Sequence, residues 1–181
     1  TPPPPDNRRL DAFYARHLPL LARDPAYHPA LSMTEPPFQF EARPALFKNP
    51  LPWRPLPKIL ATHADNSGCG HYRIMLPAIA LNNSNRATVE FSQAIYSIPE
   101  LARIAPDAFV LQRQLTDPQI DRIAEVRRHF GFPVHYELDD LITDIPKNSP
   151  HRSELPKDTS HRLKKALGLI DTFIVSTDAL K

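Results

Sequence analysis

The sequence predicts an α/β domain built on a doubly wound parallel sheet, and three observations carry that prediction. Apolar runs of five or six residues recur along the chain, separated by stretches with helical periodicity. The chain has only four glycines in 181 residues, and three of them fall in or beside turns between those stretches. Fourteen of the 22 prolines lie in the first 57 residues, which hold no glycine, so an N-terminal arm (1–57) stands apart from the alternating part (58–181).

In the arm, Thr1 to Pro5 reads as solvated polyproline. Leu10, Phe13, Tyr14, Leu18 and Leu21 recur at helical spacing between Asp6 and Ala22, with Asp6 or Asn7 as the cap and Pro19 weakening the end. Residues 25–57 read as extended, yet they carry Phe38, Phe40, Phe47 and Trp53. So many large aromatics are unusual in a disordered linker, and the arm is expected to lie against folded protein.

The alternating part begins with a strand at 58–63, Lys-Ile-Leu-Ala-Thr-His. Further strands are expected at 87–92, 108–113, 133–138 and 172–176. Helices are expected near 72–82, 98–104, 117–130 and 158–170. The helix over 117–130 is the clearest: Thr116 or Asp117 caps it, Pro118 occupies its first turn, and Gly131 closes it. Ile120, Ile123, Ala124, Val126 and Phe130 form its apolar face. Such alternation implies parallel strands, right-handed crossovers and helices on both faces. The expected strand order is 2-1-3-4-5, a Rossmann-like arrangement whose crevice opens between the first and third strands.

Composition narrows the function. An apolar fraction of 41% with 23% charged residues is that of a globular chain. A net charge of +2, spread out and without interleaved aromatics, gives no nucleic-acid footprint. No stretch approaches the ~18 apolar residues needed to span a bilayer. A single cysteine suits a reducing, cytoplasmic setting. Beginning at Thr1 and stopping just after the last expected strand, the chain reads as a domain of a larger protein.

The chemistry concentrates at the ends of the expected strands. Asp65-Asn-Ser-Gly-Cys-Gly70 lacks the third glycine of a dinucleotide fingerprint and the Lys-Ser/Thr of a phosphate loop. Gly68 and Gly70 would still let backbone approach a ligand, with the helix start aiming N–H groups at it. A tight βα turn explains the same glycines. Arg73 adds a bidentate donor for phosphate or carboxylate. His71 is a candidate base or hydroxyl donor, or simply a solvent-facing residue. Cys69 reads as structural, having no partner triad. Asp139 and Asp140 follow the fourth strand, where one carboxylate would bind sugar hydroxyls or orient a base; capping is the competing reading. No metal is expected, because adjacent residues in extended chain point apart. Gln112 and Arg113 end the third strand, and Arg113 would face a ligand or pair with Asp139 or Asp140. The remaining histidines lack metal-ligand spacing, and 141–160 reads as a loop over the strand ends.

Asp65-Asn-Ser-Gly-Cys-Gly-His-Tyr-Arg73 with Leu76-Pro77, Phe109-Val-Leu-Gln-Arg113, Val134-His-Tyr-Glu-Leu-Asp-Asp-Leu141 and Ile174-Val-Ser-Thr177 together resemble the N-terminal half of GT-B-fold glycosyltransferases. The likeness is to family-4-like bacterial enzymes of surface-polysaccharide assembly; it covers 58–181 and leaves out 1–57. It implies an acceptor-side domain facing a donor-binding one, with Gly68 and Gly70 near the donor phosphates. His71, Arg73, Arg113, Asp139 and Asp140 would line the acceptor side. The implied partners are a nucleotide-sugar donor, held by a C-terminal domain whose Glu-containing motif is absent here, and a glycan or lipid-linked acceptor. Neither a cofactor nor a metal is implied, and peripheral membrane association is compatible. The domain alone is expected to be inactive. The alternative is a non-catalytic flavodoxin- or receiver-like interaction module. Ala64-Asp65 and Gln112-Arg113 stand where a receiver needs its acidic pair and its phosphorylatable Asp, which disfavours that subtype. A nucleotide-sugar oxidoreductase is disfavoured by the absent third glycine.

Overall fold

The computed structural model describes residues 7–33, 36, 38–43, 53–146, 148–149, 155–156 and 158–180. The readings made for Thr1 to Pro5, Asp6, Phe47 and part of the 141–160 loop lie outside the described residues. The chain divides into two compact units. One joins Thr1–Pro55 with Tyr96–Ala105 and Arg128–Phe130; the other holds Leu56–Ile95, Pro106–Arg127 and Gly131–Lys181.

The second unit is built on five strands: β1 (Lys58–Thr62), β2 (Thr88–Ser92), β3 (Ala108–Gln112), β4 (Val134–Leu138) and β5 (Thr172–Val175). All neighbouring pairs are parallel, in the order β2-β1-β3-β4-β5. The fold is therefore the α/β, Rossmann-like arrangement that the alternation of runs predicts. Register brings Thr62 beside Ser92 and Leu111, Gln112 beside Glu137, and Leu138 beside Val175, so the C-terminal strand ends form one rim.

Parallel strands covered on both faces need apolar residues at successive positions, and the central strands here have them. On one face Ile59, Ala61, Val89, Phe91 and Val110 meet Ile74, Ala78 and Leu81 of helix α2. That helix opens at Gly68–Gly70, passes through a π-helical turn over His71–Met75 and ends as an α-helix over Leu76–Asn83. Alternation turns Leu60, Phe109, Leu111, Val134 and Tyr136 to the opposite face, where all five are fully buried. The connections between these strands include two further helices, α4 (Asp117–His129) and α5 (Thr159–Leu167). They contribute Ile120, Ile123, Val126, Leu163 and Ala166. Each large aliphatic buried there contributes roughly 1.5–3 kcal/mol. Lys165 of α5 pairs with Asp121 of α4, and Arg162 with Asp117.

The first unit contains α1 (Asn7–Ala22) and α3 (Ile98–Ile104). A reciprocal capping box starts α3: Ser97 Oγ accepts from the Glu100 amide, and Glu100 accepts from the Ser97 amide. Arg43 bridges Glu41 and the buried Glu100, and its guanidinium lies over Tyr96. Arg103 donates to the carbonyls of Ala22 and Leu31. Leu31 and Phe40 form an isolated antiparallel bridge within the arm.

Pro19 does not interrupt α1: the helix runs to Ala22, and the Arg23 amide reaches the Pro19 carbonyl at 3.2 Å, because the lost N–H affects only the turn before. α4 ends at His129, just before Gly131, which follows it without a left-handed conformation. Ala105, after α3, takes that conformation instead, with φ 49°.

Candidate functional site

The rim at the ends of β1, β3 and β4 gathers most of the polar residues singled out above. After β1 the chain turns sharply. Asp65 Oδ1 accepts from the Ser67 amide at 2.9 Å, the Ser67 hydroxyl at 3.1 Å and the Gly70 amide at 3.2 Å. The carboxylate thus occupies the helix start in the manner of an N-cap. Burial works against this charge, but the Gly70 and Ser67 amides, the Ser67 hydroxyl and Arg113 outweigh it and hold the Asp65 carboxyl below its ordinary range. His63 Nδ1 lies 2.9 Å from the Asp65 carbonyl oxygen and ties down the same turn.

Two amides of the turn, those of Ser67 and Gly70, are thus engaged by a side chain of the turn itself and not left for an anion. Gly70 is required for a different reason: a Cβ there would lie 1.8 Å from the Asp65 carbonyl oxygen. Gly68 has open space where its Cβ would stand, so close packing does not explain it.

Arg113 crosses the rim from the end of β3. Its Nη2 donates to Asp65 Oδ2 at 2.6 Å and its Nη1 to Asp140 Oδ2 at 3.4 Å. It therefore joins the turn after β1 to the segment after β4, and the pairing with Asp140 weighed from sequence is present. Arg113 has φ 46°, a left-handed conformation that costs a non-glycine residue on the order of 1 kcal/mol or more. Functional rims often retain such strain, and here it directs the guanidinium across the strand ends.

Cys69 adds a second link, with Sγ 3.7 Å from Asp140 Oδ2. Asp139 does not point away, contrary to expectation. Thiol and both carboxylates each offer a ligand atom within 4.8 Å of the others, because the chain bends out of extended geometry at Asp140. The trio has the atom types of a cation site. However, burial, followed by the hydrogen bond and charge of Asp139, pushes the Cys69 thiol up to about 12. A thiol held protonated in this way is a poor nucleophile.

Beneath this layer lies a buried one. Arg73, on the π-helical turn, donates through Nε to Glu137 Oε1 at 2.6 Å. The Glu137 side chain is only 4% exposed, and its burial drives its carboxyl above the ordinary range although Arg73 opposes the shift. Gln112, its neighbour across the β3–β4 pair, accepts from the Ala64 amide at 3.1 Å through Oε1. Among the described residues, five buried polar atoms at these strand ends lack a well-formed hydrogen bond: Thr62 Oγ1, Gln112 Nε2, Gln114 Oε1, Glu137 Oε2 and Asp139 Oδ1. Such atoms are rare in folded proteins and mark positions where a ligand or water completes the bonding. The Gln112 amide still faces Glu137 and works with Arg73 against the raising of its carboxyl.

No protein-family model, curated protein or solved structure matches this chain.

The structure therefore joins Arg113 to Asp140 directly and brings Asp139 within 4.8 Å of Asp140 and Cys69, with Gly68 and Gly70 on either side of Cys69. Arg73 reaches the buried layer through Glu137. His71 joins neither group: it is exposed at the helix start, its ring edge-on to Tyr72 at 5.5 Å. Sequence reasoning missed Asp65, Cys69 and Glu137 as members. A signal existed for Glu137, an acid inside an apolar strand at the level of Gln112. None existed for Asp65 beyond its place before a helix.

Proposed function

We propose that residues 58–181 form the acceptor-side domain of a glycosyltransferase, receiving a glycan or lipid-linked acceptor to which sugar passes from a nucleotide-sugar donor. The observation that carries this reading is the set of buried atoms without a well-formed hydrogen bond at the ends of β3 and β4. One is an amide donor (Gln112 Nε2) and three are acceptors (Gln114 Oε1, Glu137 Oε2, Asp139 Oδ1). Sugar hydroxyls both donate and accept, so a carbohydrate offers partners to amide and carboxylate alike, whereas an anion offers none to the carboxylates. The motif resemblance and the strand order support the same reading. In it, Asp139 and Asp140 hold acceptor hydroxyls, Arg113 fixes Asp140, and Arg73 keeps Glu137 in place. Gly68 leaves room on the donor side, and His71 is the candidate base should the acceptor reach it. The nucleotide sugar would be bound by a partner domain, and transfer would belong to the combined protein.

The second reading, a non-catalytic interaction module, is favoured by one observation: Asp65 already takes the Ser67 and Gly70 amides of the turn, and Arg113 pairs with its other oxygen. Protein-observed NMR separates the two. Titration with oligosaccharides and polyprenyl-linked sugars should shift the Gln112 side-chain amide and the Asp139–Asp140 backbone signals, and Gln112→Leu should abolish the response. An unchanged spectrum with every saccharide at millimolar concentration would reject the transferase reading.

A further inference from the structure

Helix α1 presents two faces. Inward, Ala22 is buried, Asp11 pairs with Arg128 at 3.1 Å and with His129 at 3.0 Å, and Tyr14 meets the His129 ring edge-on. Outward, Leu10, Phe13 and Leu20 remain 39%, 47% and 56% exposed. At 3.6 residues per turn these three, with His17, occupy an arc of only about 80°. Leu10 and His17 are seven residues apart, as are Phe13 and Leu20, and the Phe13 and His17 rings touch at 4.9 Å. Arg9, Arg16 and Arg23 repeat with the same period along one edge of that seam. Arg16 and Arg23 are exposed and make no ion pair among the described residues.

A narrow seam with period seven and a charged file on its flank is the pattern by which helices pack side by side. We infer that α1 is the docking site for an amphipathic helix of a partner protein, one that carries heptad apolar residues flanked by glutamate or aspartate. Charge selects this occupant. A second copy of the chain would lay arginine against arginine in an antiparallel pair, and in a parallel pair would offer Tyr14 and Leu21 where acids are needed. A lipid surface needs a broad apolar face and gains nothing from heptad spacing, whereas this arc is narrow. The partner helix would cover Phe13 and Leu20 while its acids reach Arg16 and Arg23.

The test uses the whole chain and two labelled three-heptad helical peptides, with leucine in the seam and either glutamate or lysine on the flanks, read by fluorescence anisotropy. The glutamate peptide is expected to bind one-to-one and about tenfold more tightly than the lysine peptide. Arg16→Glu with Arg23→Glu should invert that order. Phe13→Glu with Leu20→Glu should abolish binding of both. All four side chains are exposed, and a thermal melt matching wild type checks that folding is unaffected. Equal affinity for the two peptides, or no binding, overturns the proposal. So does self-association in sedimentation equilibrium, or retention on phosphatidylglycerol vesicles, if either is lost with Phe13→Glu and Leu20→Glu.

Discussion

Two layers of the same rim differ in how completely they are satisfied. In the upper layer, the turn after β1, the polar groups serve one another: Asp65 caps the helix start and Arg113 neutralises Asp65 and Asp140. In the lower layer, between β3 and β4, Glu137 is paired with Arg73 on one oxygen only, and the Gln112 amide facing it makes no well-formed bond. The upper layer satisfies most of its own polar groups, Asp139 Oδ1 excepted, and maintains the shape of the rim. The lower layer has bonding capacity left over, at a desolvation cost of about 1–3 kcal/mol for each orphaned group. The difference locates recognition below the glycine turn, although the turn is the more conspicuous feature of the sequence.

The largest way to break that contrast is Gly70→Ala. A methyl group 1.8 Å from the Asp65 carbonyl forces the turn open, and the loss should exceed about 3 kcal/mol in urea denaturation. An unchanged midpoint would mean that the turn is not closed as described.

Next comes Arg73→Met, which leaves Glu137 buried without its cation. Partial exposure of Arg73 reduces the penalty of a fully buried pair, so a loss of about 2 kcal/mol is expected, largely recovered in Arg73→Met/Glu137→Gln. The Glu137 carboxyl is raised in the fold, so its protonated form is the one the interior favours. The cost of Arg73→Met should therefore shrink as pH falls from neutrality toward the ordinary carboxylate range, and grow as pH rises. A penalty independent of pH would show that Glu137 is not the group responsible.

A smaller effect, about 1 kcal/mol at pH 7, is expected for Asp65→Asn, which keeps an accepting oxygen for the cap but loses the charge facing Arg113. Because the fold lowers the Asp65 carboxyl, its contribution is present above the ordinary carboxylate range and lost as pH falls through its folded value. The difference in Tm between wild type and variant should narrow on acidification; a gap that does not narrow at all between pH 7 and pH 3 would assign the effect to the cap alone. Smallest of all is Gly68→Ala, expected within about 0.5 kcal/mol of wild type because the added methyl meets open space. If that variant keeps its stability but loses saccharide-induced shifts, Gly68 lies against the ligand.

Much of the fold was legible because periodicity reports burial directly. The runs at 58–63 and 108–113 alternate between two covered faces, and the helix expected over 117–130 ends within a residue of α4. Boundaries slipped where local signals compete. The start of α2 lies at Gly68, not near position 72, because the Asp65 carboxylate supplies a cap that propensity alone does not reveal. The site was legible only in part. Arg113 and Asp140 could be brought together from strand order, since both follow neighbouring strands. Cys69 reads as structural from sequence, and its contact with Asp140 depends on a bend after Leu138 that no residue pattern announces.

What the sequence determined by itself was the parallel order of strands and the rim at their C-terminal ends, because hydrophobic spacing and crossover handedness are properties of chain segments and their chirality. What only the tertiary structure decided was which polar groups satisfy each other and which are left over. Hydrogen bonds depend on angstrom-scale positions of side chains drawn from β1, β3, β4 and α2, and those positions exist only once the segments have packed.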